Sequence, residues 1–141
     1  MRITRFEDLE CWQEARKLMN MVFALCNSPA FKGRFRLADQ VEGAAISVMN
    51  NIVEGFDSGS NAELTRFLGY ARRSASEVQT CLYAALDNRF STQEQFDHIY
   101  QQAEKTRKMI DGFRRYLRSC RQDVKRRVTS STGQRVNGLT G

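Results

Sequence analysis

Apolar residues recur at helical spacing through four long stretches, and each stretch ends in a turn signal. The first runs from about Glu7 to Ser28, with Leu9, Trp12, Ala15, Leu18, Met19, Val22 and Cys26 on one face. Asp8 can cap its start, with Phe6 as a hydrophobic lead-in, and Asn27-Ser28-Pro29 ends it because proline restricts the residue before it. The second covers roughly Arg36 to Glu54, with Val41, Ala44, Ala45, Val48 and Ile52 as its stripe. Gly43, Ala44, Ala45 and Ser47 make its middle slim, so Gly43 is expected to permit a close helix contact and Gly55 to supply a left-handed C-cap.

Gly55-Phe56-Asp57-Ser58-Gly59-Ser60-Asn61 is the strongest loop signal in the chain. Beyond it, from about Asn61 to Asn88, Leu64, Phe67, Leu68, Ala71, Ala75, Val78, Cys81, Leu82 and Ala85 mark a third helix capped by Ser60 or Asn61. Ser91-Thr92-Gln93-Glu94 reads as a capping box for a fourth. There Phe96, Ile99, Ala103, Thr106, Ile110, Phe113, Leu117 and Cys120 alternate three- and four-residue intervals, close to a heptad. No segment alternates long enough to be a strand. The expected fold is all-α: an antiparallel up-down four-helix bundle over residues 1–122, then a basic and finally polar flexible tail over 123–141.

Composition agrees with a folded chain, since hydrophobic residues make up 41% of 141 positions. No apolar run approaches the roughly 20 residues that span a bilayer. The charged start lacks a following apolar segment, so neither a membrane span nor a signal peptide is expected, and the cytoplasm is the default location. Cys11, Cys26, Cys81 and Cys120 lack Cys-x-x-Cys spacing and lie on or beside the apolar stripes, as buried thiols do.

Net charge is +6, and it is concentrated. Arg114, Arg115, Arg118, Arg121, Lys125, Arg126 and Arg127 face one acid, Asp123, so residues 114–127 carry the whole excess. If helix four continues that far, Arg114, Arg118, Arg121 and Lys125 form one ridge able to follow phosphates of RNA or DNA. A second basic stretch, Lys32-Gly33-Arg34-Phe35-Arg36, reads either as an RNA contact or as a linker whose aromatic residues seal the bundle end. Tyr83, Tyr100 and Tyr116 are too scattered in sequence for a stacking platform.

Catalytic patterns are missing from the sequence. Glu-x-x-His, the motif of metal-carboxylate bundles, does not occur around the single histidine, His98. Glycines 55 and 59 lack the lysine of a phosphate loop, and Ser74 and Ser76 have no triad partner in sequence. Glu54 beside Asn50 and Asn51 has the chemistry of a base but no companions for the other roles. No cofactor is expected. Asn50, Asn51 and Glu54 read instead as a polar layer, buried or at an interface, with Arg66 or Arg73 as partners on helix three and Glu77 as a further acid there.

Three sets of residues carry a resemblance: Phe6-Glu-Asp-Leu9-Glu-Cys-Trp12-Gln-Glu-Ala15; Gln40 with Ala44-Ala45-Ile46-Ser47-Val48 and Asn51-Ile52-Val53-Glu54-Gly55; and Glu63-Leu-Thr-Arg66-Phe67-Leu68 with Ala71-Arg-Arg-Ser74-Ala75-Ser76-Glu77 and Thr80. With them the chain resembles the 23S ribosomal RNA intervening-sequence (S23-type) four-helix-bundle proteins over about residues 5–118. It is distantly similar to the accessory protein of diversity-generating retroelements. The resemblance implies a non-enzymatic homo-oligomer, a ring of five bundles, with RNA or DNA and a reverse transcriptase or another protein as partners. Met49-Asn50 stands where that family commonly has Pro-Ser, so helix two is expected to run on without a kink. The basic extension after Arg118 is longer than in many members and leans toward the retroelement branch.

Overall fold

The apolar stripes fold into α1 (Glu10–Cys26), α2 (Phe35–Asp57), α3 (Asn61–Asp87) and α4 (Gln93–Ser119) in a computed structural model that describes residues 3–120. The described residues contain no strand. Short connections turn each helix back on its predecessor, and the closest pair, α2 and α3, is joined by Ser58-Gly59-Ser60 alone. α1 also packs on α4, which closes the bundle. Both connections that follow α1 and α3 lie at one end; residues 3–9, the α2–α3 turn and the end of α4 lie at the other.

Local chemistry explains most boundaries. The Ser60 hydroxyl accepts the Glu63 N–H at 3.1 Å to start α3. Thr92 and Gln95 form a reciprocal capping box at α4. α2 runs unbroken through Met49-Asn50, as the absence of proline there implies. Asp8 does not cap α1: residues Phe6–Asp8 form a 3-10 turn, Leu9 is the cap position without a side-chain bond, and Phe6 packs edge-on against Trp12 at 5.2 Å.

Gly55 does not end α2 either. The helix continues to Asp57, and the left-handed residue is Gly59, at φ 81°. Gly55 sits where the two helices come closest: a Cβ on it would lie 2.8 Å from the Phe67 Cβ and 3.1 Å from the Leu64 Cα. Gly43 shows the opposite, since a Cβ there would meet nothing within 4 Å. It makes no close contact inside this bundle.

The core has two apolar clusters. Leu18, Val22, Val41, Val78, Leu82 and Ile99 lie in the one nearer the α1–α2 and α3–α4 connections. Val48, Ile52, Leu68, Ala71, Ala75 and Ile110 lie in the other. In α1 the deepest line is Cys11, Ala15, Leu18, Val22 and Leu25, while Trp12, Met19 and Cys26 are half-buried beside it. Cys11 and Cys81 are buried thiols, Cys26 and Cys120 are half-buried, and all four are free. Burial pushes the Cys11 thiol up to about 12, so it is inert as a nucleophile at neutral pH.

Polar clamps flank the core. Glu14, buried on α1, accepts from Gln102 Nε2 of α4 on both its backbone oxygen and its carboxylate at 2.9 Å, with Lys17 and Lys105 alongside. The Gln102 hydrogen bond chiefly holds the Glu14 carboxyl below its ordinary 4.5. A lowered folded-state pKa stabilises the fold fully above that ordinary value and is lost as pH falls through the depressed one. Glu14→Gln is therefore expected to flatten the acid-side fall in stability below pH 4.5, measured as unfolding midpoints over a pH series. An unchanged acid limb would remove Glu14 from that role.

Candidate interaction face

α2 and α3 meet along a seam of polar and small residues, and these are residues that carry the resemblance. Near one end Gln40 Nε2 donates to Glu77 at 2.7 Å. Two turns along α2, the Ser74 hydroxyl donates to the Ser47 hydroxyl at 2.9 Å. Asn51 Nδ2 donates to the Ser47 backbone oxygen and hydroxyl at 2.9 and 3.0 Å. Gly55 then closes the seam against Leu64 and Phe67. The spacing 40, 47, 51, 55 keeps one face of α2 toward α3.

The structure divides the expected polar layer. Asn51 belongs to the seam, and Glu77 joins it through Gln40. Asn50 and Glu54 point away from the core and are exposed, so they form no buried layer in this bundle. Arg66 and Arg73 are also exposed and engage their own helix. Arg66 donates to Glu63 at 2.6 Å and to the Tyr70 hydroxyl at 2.8 Å, and lies over the Phe67 and Tyr70 rings at 4.9 and 5.6 Å. Arg73 lies over Tyr70 from the next turn, at 5.5 Å. The Arg66 partnership holds the Glu63 carboxyl below its usual range. The outer face of α2–α3 thus presents Ile46, Asn50 and Glu54 on one helix and an Arg66–Tyr70–Arg73 ridge on the other.

α4 stops at Ser119 with Cys120 extended, and the ridge expected from Arg114 to Lys125 runs on into positions outside the described residues. Arg115 and Arg118 are exposed. Arg114 is only half-exposed; its Nη2 lies 3.4 Å from where a Cβ on Gly69 would stand, and its buried Nε has no hydrogen-bond partner. The absent side chain at Gly69 leaves room for the guanidinium to lie inward against α3. Arg121, Lys125, Arg126, Arg127 and the expected tail lie outside the described residues.

Several contacts escaped the hydrophobic pattern. Arg72 pairs with Asp111 across α3–α4 at 2.8 Å. Gln79, buried on α3, donates to Glu104 at 3.0 Å and accepts from Arg107 at 3.1 Å. Tyr83 and Tyr100, distant in sequence, meet at 5.8 Å, and both pack on Phe96. Reflecting α3 through the 88–92 connection would have paired them.

A shallow groove of about 480 Å³ lies between Leu9, Cys11, Met109, Gly112, Phe113 and Tyr116. Among the described residues no group of three His, Cys, Asp or Glu side chains is placed to hold a metal, and no helix is long and apolar enough to cross a membrane. Comparison with curated proteins finds no match. The family model described as 23S rRNA-intervening sequence protein matches residues 7–112, which span α1, the α2–α3 seam and most of α4, and the chain belongs to that family.

Proposed function

We propose that the protein is a cytoplasmic, oligomeric helical scaffold that binds RNA or DNA non-specifically through the basic C-terminal end of the bundle. The observation that carries this reading is the placement of charge. Arg115 and Arg118 are exposed and outside any ion pair among the described residues, and they lead directly into Arg121, Lys125, Arg126 and Arg127. Such cations position a phosphate backbone and do not read bases. The family's name, which refers to 23S rRNA, supports RNA as a ligand.

Titrating labelled RNA and DNA at two salt concentrations tests it. Binding is expected to weaken steeply with salt, and a chain ending at Cys120 loses four of these cations, which lowers the logarithmic salt slope by about 3. No binding at low salt would overturn the reading. An unchanged slope after truncation would remove the C-terminal arginines from it.

The proposed assembly is a homopentameric ring that uses the α2–α3 outer face, where Gly43 leaves open space beside the exposed Ile46. Gly43→Leu is expected to keep the protomer folded, since nothing lies within 4 Å, and to lower the mass in light scattering by blocking association. Unchanged mass would exclude α2 as the interface. A second reading, an adaptor for a reverse transcriptase or another protein, is favoured by the Arg66–Tyr70–Arg73 ridge, because arginine and tyrosine dominate binding hot spots. Recovery of one protein from nuclease-treated extract, lost on Tyr70→Ala, would support it.

A further inference from the structure

The connection between α1 and α2 buries one phenylalanine and leaves another out. Phe31 is 2% exposed and meets Phe90 edge-on at 5.7 Å, which seals this end of the bundle. Phe35, four residues later and first in α2, is 76% exposed, the highest value for a large apolar side chain among the described residues. Full burial of such a ring is worth roughly 1.5–3 kcal/mol, and the fold forgoes most of it. The linker reading of this stretch therefore accounts for Phe31 and not for Phe35.

Cations neighbour the exposed ring along the chain. Lys32, Arg34 and Arg36 flank it in sequence, with no carboxylate between Ser28 and Ala38, and all three are exposed. None takes part in an ion pair among the described residues. Gly33, at φ 81°, makes the turn that brings Arg34 over the Phe90 ring at 4.6 Å, so this guanidinium is anchored without being neutralised. At the same end Tyr83 is half-exposed, backed by Phe96 at 4.8 Å. Asp87, Glu94 and Asp97 lie on the α3–α4 side, and Asp39, one turn into α2, is the nearest carboxylate on the α1–α2 side.

We propose that this loop end is a second nucleic-acid contact, specific for single strands, in which Phe35 stacks on a base and Lys32, Arg34 and Arg36 hold the flanking phosphates. Cations alone would suit any polyanion. The exposed ring selects among them, because duplex bases are already stacked inside the helix and an acidic peptide offers no planar face. The site lies at the opposite end of the bundle from the α4 arginines, about 40 Å away along a 27-residue helix. It rests on the nucleic-acid reading above and adds a place and a strand preference to it.

The test uses the full chain and fluorescence anisotropy with labelled oligouridylate, oligothymidylate and a duplex of equal length. Phe35→Ala is expected to weaken binding of both single strands about 5- to 150-fold, the range for losing one base–aromatic stack, and to leave duplex binding unchanged. Phe35→Trp restores it. Lys32→Gln with Arg36→Gln, which spares the Arg34 stack on Phe90, lowers the single-strand salt slope by about 1.4. Unfolding midpoints are expected to stay close to the wild-type value, because Phe35 is mostly exposed. Wild-type binding that Phe35→Ala leaves untouched, or weakens equally for duplex, overturns this site and leaves the general reading standing. Failure of the wild-type chain to bind any probe at low salt overturns both.

Discussion

Gly55→Val is expected to destabilise the bundle by about 3 kcal/mol, at the upper end for overpacking, and to lower its unfolding midpoint by on the order of 10 °C. The added Cβ would stand 2.8 Å from the Phe67 Cβ and 3.1 Å from the Leu64 Cα. Both neighbours are fixed to the α3 backbone, so no rotamer change relieves the clash and the helices must separate. Separation loosens the Ser47–Ser74 hydrogen bond two turns along the seam. Gly55→Ala suffers the same contact but recovers about 1 kcal/mol of helix propensity, so its net loss is smaller. Thermal or denaturant unfolding measures both. Wild-type midpoints in the two variants would show that the helices do not approach this closely.

Leu82→Ala is expected to cost about 4 kcal/mol, toward the top of the range for a buried leucine. Leu82 is 0% exposed in the cluster nearer the connections. Ala44, Ala45, Ala85 and Ala103 belong to the same cluster, and alanine has no rotamer with which to fill a void. The cavity would therefore stay open. Thr80→Ala, on the exposed side of the same helix, serves as the control and is expected to fall within about 0.5 kcal/mol. A loss below 1 kcal/mol at Leu82 would mean that the surrounding backbone collapses onto the gap.

The fold was legible because each helix writes its buried stripe at helical spacing. Val41, Ala44, Ala45, Val48 and Ile52 are all core, and α4 departs from its pattern only at Phe113 and Cys120, which are half-buried. In α1 the large Trp12 drew the apparent stripe one position away from the true line through Cys11, Leu18 and Leu25. The site was harder to read. A glycine near a helix end looks the same in sequence whether it caps the helix or admits a neighbour, and only the Phe67 contact separates the two. Asn50 and Asn51 are adjacent residues about 100° apart on the helix, yet one faces solvent and the other Ser47. Periodicity locates such polar residues near the boundary of the stripe and cannot say which side the next helix takes.

The closure of α1 on α4 has a consequence for how the molecule folds. α2 and α3 share the largest contact across a three-residue turn, so their hairpin forms at little entropic expense, and α4 adds onto it as the next hairpin. The α1–α4 contact joins residues as far apart as Glu14 and Gln102, so it is expected to complete after the folding transition state. Interactions formed that late govern the unfolding rate alone. Neutralising Glu14, by acid or by substitution, should therefore steepen escape from the native state while leaving the refolding arm of the chevron where it was.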